Sequence, residues 1–463
     1  MIWAILLGLL FALASLRRFR SMLLFGYADL SIFLAPLSHA KAASRSLYAS
    51  FARTVRPPAI ILAHALATRL GASAVGFETY RFVLQVILAA LTVFLLGRLA
   101  SGSALGGLLA IPLLLGGNFA ETGWYMRANF TSTVTTGLLG LILGALILTI
   151  FLLSDGSPLA FAAAGLLAVM HPVHGVLTAG MLLAVISSGA TTAGLPQALW
   201  GAVLFALCAM PLAVFLARLR KNGADPNAPA MDDAQWWRWM AGRTRNMFAL
   251  AGLDARSGGG GMKTLTSPPM LVFALGAMTL FAGAQLSGLG LGLGGEDALL
   301  RAAAAVFVCG LAGFAAQIVV SDLLRIRVLA SLCLSRATSY GPFFFAAVWA
   351  AAAQTALADG DMIQAAAVIL AVASLGQTYL RDNSWMTFFS FIAPLLCLPS
   401  PTWPTYFLGV ATAVLGTAGF AATRSDTPAT PGSWRLLILK TLWFARLSAR
   451  DHVQLGCLGA ACW

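Results

Sequence analysis

LAFAAAGLLAVMHPVHGVLTAGMLLAVISSGA, residues 159–190, decides how the rest of the chain is read. It is apolar and small throughout, except for His171-Pro172-Val173-His174-Gly175 near its centre. A run of this length and character reads as membrane-embedded. Proline removes a backbone donor and clashes with the preceding turn, and glycine weakens a helix further. The expected structure is two shorter helices, 159–170 and 175–190, meeting at a polar corner that carries both histidines.

The composition agrees with that reading. The 463-residue chain is 59% hydrophobic and 10% charged, whereas roughly a quarter of a soluble domain is charged. The expectation is an all-α, polytopic helical membrane protein with about 12–13 membrane segments. Its 29 Lys and Arg against 16 Asp and Glu fit contact with lipid headgroups and topology signals. Nucleic acid is not an expected partner, because no soluble domain carries a basic surface for it. The six cysteines (Cys208, Cys309, Cys333, Cys397, Cys457 and Cys462) lack CxxC spacing, so neither a metal site nor a disulfide framework is expected of them.

Working outward from the corner, residues 1–217 read as a membrane core. Its first helix, 1–16, is expected to be retained, because Arg17, Arg18 and Arg20 follow the apolar run instead of preceding it. Basic residues spread through 17–82 predict amphipathic helices on the membrane surface. Membrane helices follow at 83–101, 103–117, 133–153 and 196–217. Residues 218–268 form a polar interfacial segment with Trp236, Trp237 and Trp239 suited to the headgroup level. A second bundle occupies 269–432, with helices at 269–288, 298–320, 338–357, 362–378, 384–399 and 403–422, and 433–463 is an amphipathic tail. No GxxxxGK[ST] phosphate loop is present, which argues against a pump carrying its own ATPase.

The order of features from Asp29 to His174 resembles the GT-C superfamily of membrane glycosyltransferases. The resemblance is carried by Gly26-Tyr27-Ala28-Asp29-Leu30, then surface helices, then Arg56-Pro57-Pro58-Ala59-Ile60-Ile61-Leu62-Ala63-His64. It continues through Arg81 and Leu95-Leu96-Gly97-Arg98-Leu99 to Gly165-Leu166-Leu167-Ala168-Val169-Met170-His171-Pro172. It covers about the first two hundred residues and rests on spacing and hydropathy. Many members carry two neighbouring acidic residues in the first loop, whereas Asp29 stands alone. The resemblance implies transfer of a sugar from a polyprenyl-phosphate-linked donor to an extracytoplasmic acceptor. It also implies a multi-pass protein of the bacterial inner membrane, with membrane lipids and the lipid-linked donor as partners.

Candidate site residues follow from chemistry and position. Asp29 lies in an apolar run, where an ionisable group faces a cavity or a partner. It reads as general base, metal ligand, or partner of the nearby arginines. Glu121 supplies a second carboxylate, or pairs with Arg127. His171 and His174 read as ligands of a divalent metal ion together with Asp29 or Glu121, as donors to a pyrophosphate, or as satisfied core residues. Arg127, Arg243, Arg245 and Arg336 are candidates for holding a lipid phosphate, which arginine matches bidentately. Two rivals share the hydropathy: a polysaccharide polymerase or ligase, and a transporter or flippase of lipid-linked or anionic substrates. A transporter would show broken helices in matching halves. The sequence shows one break, at 171–175, and no counterpart in its second half.

Overall fold

The computed structural model describes residues 1–24, 74–116, 136–221, 296–330 and 332–366, with short pieces at 275–280, 282–283, 286, 368–369 and 372. Every regular element among them is helical, with no strand. In chain order they are α1 (Ile2–Leu24), α2 (Ala74–Ser101), α3 (Ala104–Gly116), α4 (Thr136–Leu153) and α5 (Leu159–Met170). Then come α6 (Pro172–Ser187), α7 (Leu195–Lys221), α8 (Glu296–Ile318), a π-helical turn (Val319–Leu323), a single helical turn (Arg327–Ala330), a 3-10 segment (Leu334–Tyr340) and α9 (Gly341–Ala358).

Four stretches are long and apolar enough to cross a membrane: Thr79–Ser101, Leu195–Val214, Ala298–Ser321 and Leu334–Ala358. The helices α3, α5 and α6 are apolar but shorter. The surface segment expected over 17–82 is corrected at both ends. Helix α1 runs on through Arg17, Arg18 and Arg20 to Leu24, and α2 already begins at Ala74. Arg81, expected to enter the helix that ends Leu95-Leu96-Gly97-Arg98-Leu99, lies buried inside α2. The expected helices at 384–399 and 403–422, the tail 433–463 and nearly all of the polar segment 218–268 lie outside the described residues.

The bundle is built around α9. Phe343, Phe344, Phe345 and Trp349 are among its fully buried side chains, and Ala346, Ala347 and Ala350 to Ala353 fill the positions between and beyond them. Alanines keep the backbone within reach of neighbours where packing, not expulsion from water, holds helices together. Helices α2 and α3 pack against α9 and against each other. Ser103 Oγ donates to Gln354 Oε1 at 2.8 Å, tying the α2–α3 connection to α9.

The other half of the described chain folds as α4 to α7. Helix α7 packs on α5 through two bare backbone positions. A Cβ on Gly165 would lie 2.6 Å from Phe205 O, and one on Gly201 would lie 2.4 Å from the Phe161 ring. Leu199, Trp200, Val203 and Leu207 of α7 are exposed.

Asp155 secures the connections at one end of this unit. It adopts a left-handed conformation (φ +48°) beside Gly156 (φ +92°), in the α4–α5 turn. Its carboxylate accepts the Thr192 backbone N–H at 2.9 Å and also the Thr192 hydroxyl. These two bonds hold the carboxyl below its ordinary value of 3.8. A depressed folded-state value means that the ionised form favours the fold. The contribution is complete above the ordinary value and disappears as pH falls through the lowered one. Asp155→Asn keeps the tolerance of left-handed backbone and imitates the protonated acid. Its melting temperature should lie below that of the parent at neutral pH, and the gap should close as pH drops below about 4. A gap independent of pH would show that the charge contributes nothing.

Candidate functional site

The histidine corner is the end of one helix and the start of another, not a kink. His171 is extended (φ −145°, ψ 95°), as a residue before proline is expected to be. Its N–H closes α5 on Leu167 O at 2.7 Å. Pro172 then opens α6, at a position where the missing N–H costs no helical bond. The second helix therefore begins at Pro172, ahead of the expected residue 175. His171 Nδ1 accepts the His174 N–H at 3.3 Å and so caps α6. Gly175 lets the two helices fold against each other, since a Cβ there would lie 2.4 Å from Ala168 Cα.

A second break, in the connection between the helices expected at 298–320 and 338–357, faces the first. Helix α8 passes into the π turn, in which Leu324 N–H donates to Val319 O at 2.8 Å. Arg325 (φ +51°) and Cys333 (φ +50°) then take left-handed backbone, and the chain returns through the 3-10 segment into α9. Gln317, 1% exposed, spans this break. Its amide nitrogen donates to Ala330 O at 3.3 Å and to Ser321 Oγ, and its oxygen accepts Leu334 N–H at 2.7 Å. The expected helix at 338–357 is thus preceded by a tighter 3-10 segment that carries Arg336 and Tyr340 on its way to α9.

The two breaks meet side chain to side chain. Arg336 Nη1 lies 3.3 Å from His171 Nε2. The Tyr340 hydroxyl lies 3.1 Å from His174 Nδ1 and 3.0 Å from Thr178 Oγ1, and approaches the His174 carbonyl at 3.5 Å. The two imidazole centroids are 4.7 Å apart. His174, Thr178 and Tyr340 are all 0% exposed, whereas His171 and Arg336 are half-buried. Among the described residues the cluster is buried at its tyrosine end and half-buried at its arginine end. His174 Nε2 and Ser339 Oγ are buried without a hydrogen-bond partner among the described residues.

Helix α4 forms the floor. A Cβ on Gly140 would stand 3.1 Å from His174 Cδ2 and 3.2 Å from His171 Cβ. One on Gly144 would stand 2.4 Å from Thr178 Oγ1 and 2.5 Å from the Tyr340 hydroxyl.

Of the residues singled out from sequence, His171, His174 and Arg336 come together. Asp29, Glu121, Arg127, Arg243 and Arg245 lie outside the described residues. No group of three or more His, Cys, Asp or Glu able to hold a metal occurs among the described residues. The two histidines by themselves fit a metal poorly. The guanidinium of Arg336 stands at His171 Nε2, and both Nδ1 atoms are engaged within the protein. Tyr340, Thr178 and Gln317 were not anticipated. Their signal is the polarity of Ser335-Arg336-Ala337-Thr338-Ser339-Tyr340 before Gly341-Pro342, and of single Thr and Gln residues inside apolar runs.

No protein-family model, curated protein or solved structure matches this chain.

Two substitutions test this geometry. Gly144→Ala should cost about 1–3 kcal/mol of stability through overpacking against Tyr340. Gly180→Ala, on an exposed position with nothing within 4 Å, should leave the melting temperature unchanged or slightly raised; equal effects would contradict the close approach at Gly144. Gln317→Leu removes partners from buried backbone groups and should destabilise by about 1–3 kcal/mol. Faster thiol labelling at the buried Cys333 should accompany it, and unchanged labelling would show that the amide does not hold the break.

Proposed function

We propose that the chain is a polytopic membrane glycosyltransferase of the GT-C kind, moving a sugar from a polyprenyl-phosphate-linked donor to an extracytoplasmic acceptor. The apolar helices support a membrane setting, and the exposed Leu199, Trp200, Val203 and Leu207 of α7 suit contact with lipid. The observation that carries the reading is the delivery of Arg336 to His171 at the meeting of two helix breaks. A guanidinium in low-dielectric surroundings is suited to a phosphate that gains charge as its glycosidic bond breaks.

In the proposed reaction Asp29 takes the proton of the acceptor hydroxyl. The acceptor oxygen bonds to the anomeric carbon, and the bond from that carbon to the phosphate oxygen breaks. The electron pair leaves with the phosphate, which Arg336 holds, with Arg127, Arg243 and Arg245 as further candidates for the donor. Glu121 would support Asp29.

A second reading, transport of an anionic or lipid-linked substrate, gains from the break at 319–340. Discontinuous helices that meet around charged groups are where secondary transporters bind their substrates. The rival differs in outcome: substrate crosses the membrane unchanged.

The test uses the full chain in vesicles with a polyprenyl-phosphate sugar and a soluble acceptor. Transfer should be measurable, abolished by Asp29→Asn, and reduced by about tenfold to a hundredfold in Arg336→Gln, the loss expected of one charge-assisted contact. Both variants should remain folded. Full transfer by Asp29→Asn would remove the assigned base, and movement of donor across the vesicle without product would favour the transporter.

A further inference from the structure

We infer that the open edge of the cluster is an oxyanion site in which His171, through Nε2–H, and Arg336, through Nη1–H, donate to one oxygen of a phosphate group without a metal. This rests on the reading of Arg336 as a phosphate-binding group and assigns His171 a role as donor in place of metal ligand.

The inference comes from counting protons on His171. A neutral imidazole carries one N–H and one lone pair. The lone pair on Nδ1 accepts the His174 N–H, so the proton belongs on Nε2. That proton then faces Arg336 Nη1, itself a donor, at 3.3 Å. Moving it to Nδ1 frees Nε2 to accept from arginine, but sets Nδ1–H against the His174 N–H and removes the cap of α6. Each tautomer therefore leaves one donor facing another.

An acceptor oxygen beside the Nε2 and Nη1 pair resolves the conflict. An oxygen about 2.8 Å from each nitrogen, the usual length of a charge-assisted hydrogen bond, forms a compact triangle with the observed 3.3 Å edge. Both groups are half-buried, while their neighbours His174 and Tyr340 are sealed. Among the described residues, Nε2 and Nη1 are two donors that stand side by side at this half-buried edge. A divalent cation at Nε2 would instead stand against the guanidinium, a like-charge contact in low dielectric. Phosphate of a polyprenyl lipid and free pyrophosphate share the recognised chemistry.

His171→Asn separates capping from binding. Asparagine caps a helix about as well as any residue, yet places no donor where Nε2 lies. The full chain in nanodiscs is titrated with inorganic pyrophosphate and, separately, with a short polyprenyl phosphate, each with and without EDTA, and the melting temperature is read. The parent protein should be stabilised by at least one of them, equally with EDTA present. Stabilisation by the lipid alone identifies the membrane-borne source, and by pyrophosphate the free one. In His171→Asn the half-saturating concentration should rise about tenfold, with the ligand-free melting temperature preserved. Nitrogen NMR of the ligand-bound parent should show His171 Nδ1 unprotonated. Unchanged affinity in His171→Asn, binding that requires a divalent metal, a protonated Nδ1, or no stabilisation by either ligand would overturn the inference. Ligand binding that behaves as expected without sugar transfer would overturn the transferase reading and leave this site standing.

Discussion

A helix that stops inside an apolar bundle must hand its terminal N–H and C=O groups to some other partner. In such surroundings each orphaned group costs several kcal/mol, so a break survives only where polar atoms are supplied locally. At each of the two breaks described above, one side chain serves this purpose. His171 covers the start of α6 with its own ring nitrogen. Gln317 reaches from the end of α8 to Ala330 O and Leu334 N, on either side of the returning chain. Apolar residues at these two positions would favour continuous helices or leave the groups unpaired. The arrangement of Arg336, Tyr340 and the histidines depends on these two local solutions.

The same constraint explains why the breaks lie against each other. A phenol buried in a core requires partners for its hydroxyl, and Tyr340 finds them in Thr178 and His174 of α6. These two residues are four apart and share a helix face, so one hydroxyl fixes both the rotation of α6 and its depth against the 3-10 segment. Helix α4 makes room with Gly140 and Gly144, also four apart, whose Cβ atoms would intrude on the ring cluster. Small residues on one helix and polar rings on two others thus form one packing unit, with hydrogen bonds giving it a defined geometry.

The first break was legible in the sequence because proline and its neighbours act locally. His-Pro at the centre of an apolar run predicts an extended residue followed by a helix start, and the error of three residues at Pro172 comes from treating proline as a breaker instead of a first residue. At the second break the ends of the helices near 320 and 338 were legible, but the form of the connection was not. Val319 to Leu324 contain neither proline nor glycine, and the deviation there is imposed by Gln317, whose partners lie thirteen and seventeen residues further along. Arg336 was found because an arginine near apolar sequence draws notice by itself. Tyr340 and Thr178 were missed because their significance is pairwise, across 162 positions of chain.

Helix α6 presents its positive end to the cluster. His171 is the residue before α6, so the partial positive charge of that helix N-terminus is directed to this region. Arg336 adds a full positive charge at its open edge. Tyr340 and Thr178 close the other side with neutral groups. The local field therefore rises from the sealed tyrosine end to the arginine end, and a negative group approaching from that end meets donors before it meets hydrocarbon. This polarity follows from where α6 starts and where Arg336 is placed, not from an abundance of basic residues, and so it can operate in a chain that is only 10% charged. It also separates the roles of the two histidines. His174, sealed and tied to Tyr340, fixes the geometry, whereas His171 stands at the edge where a ligand and the protein share a proton donor.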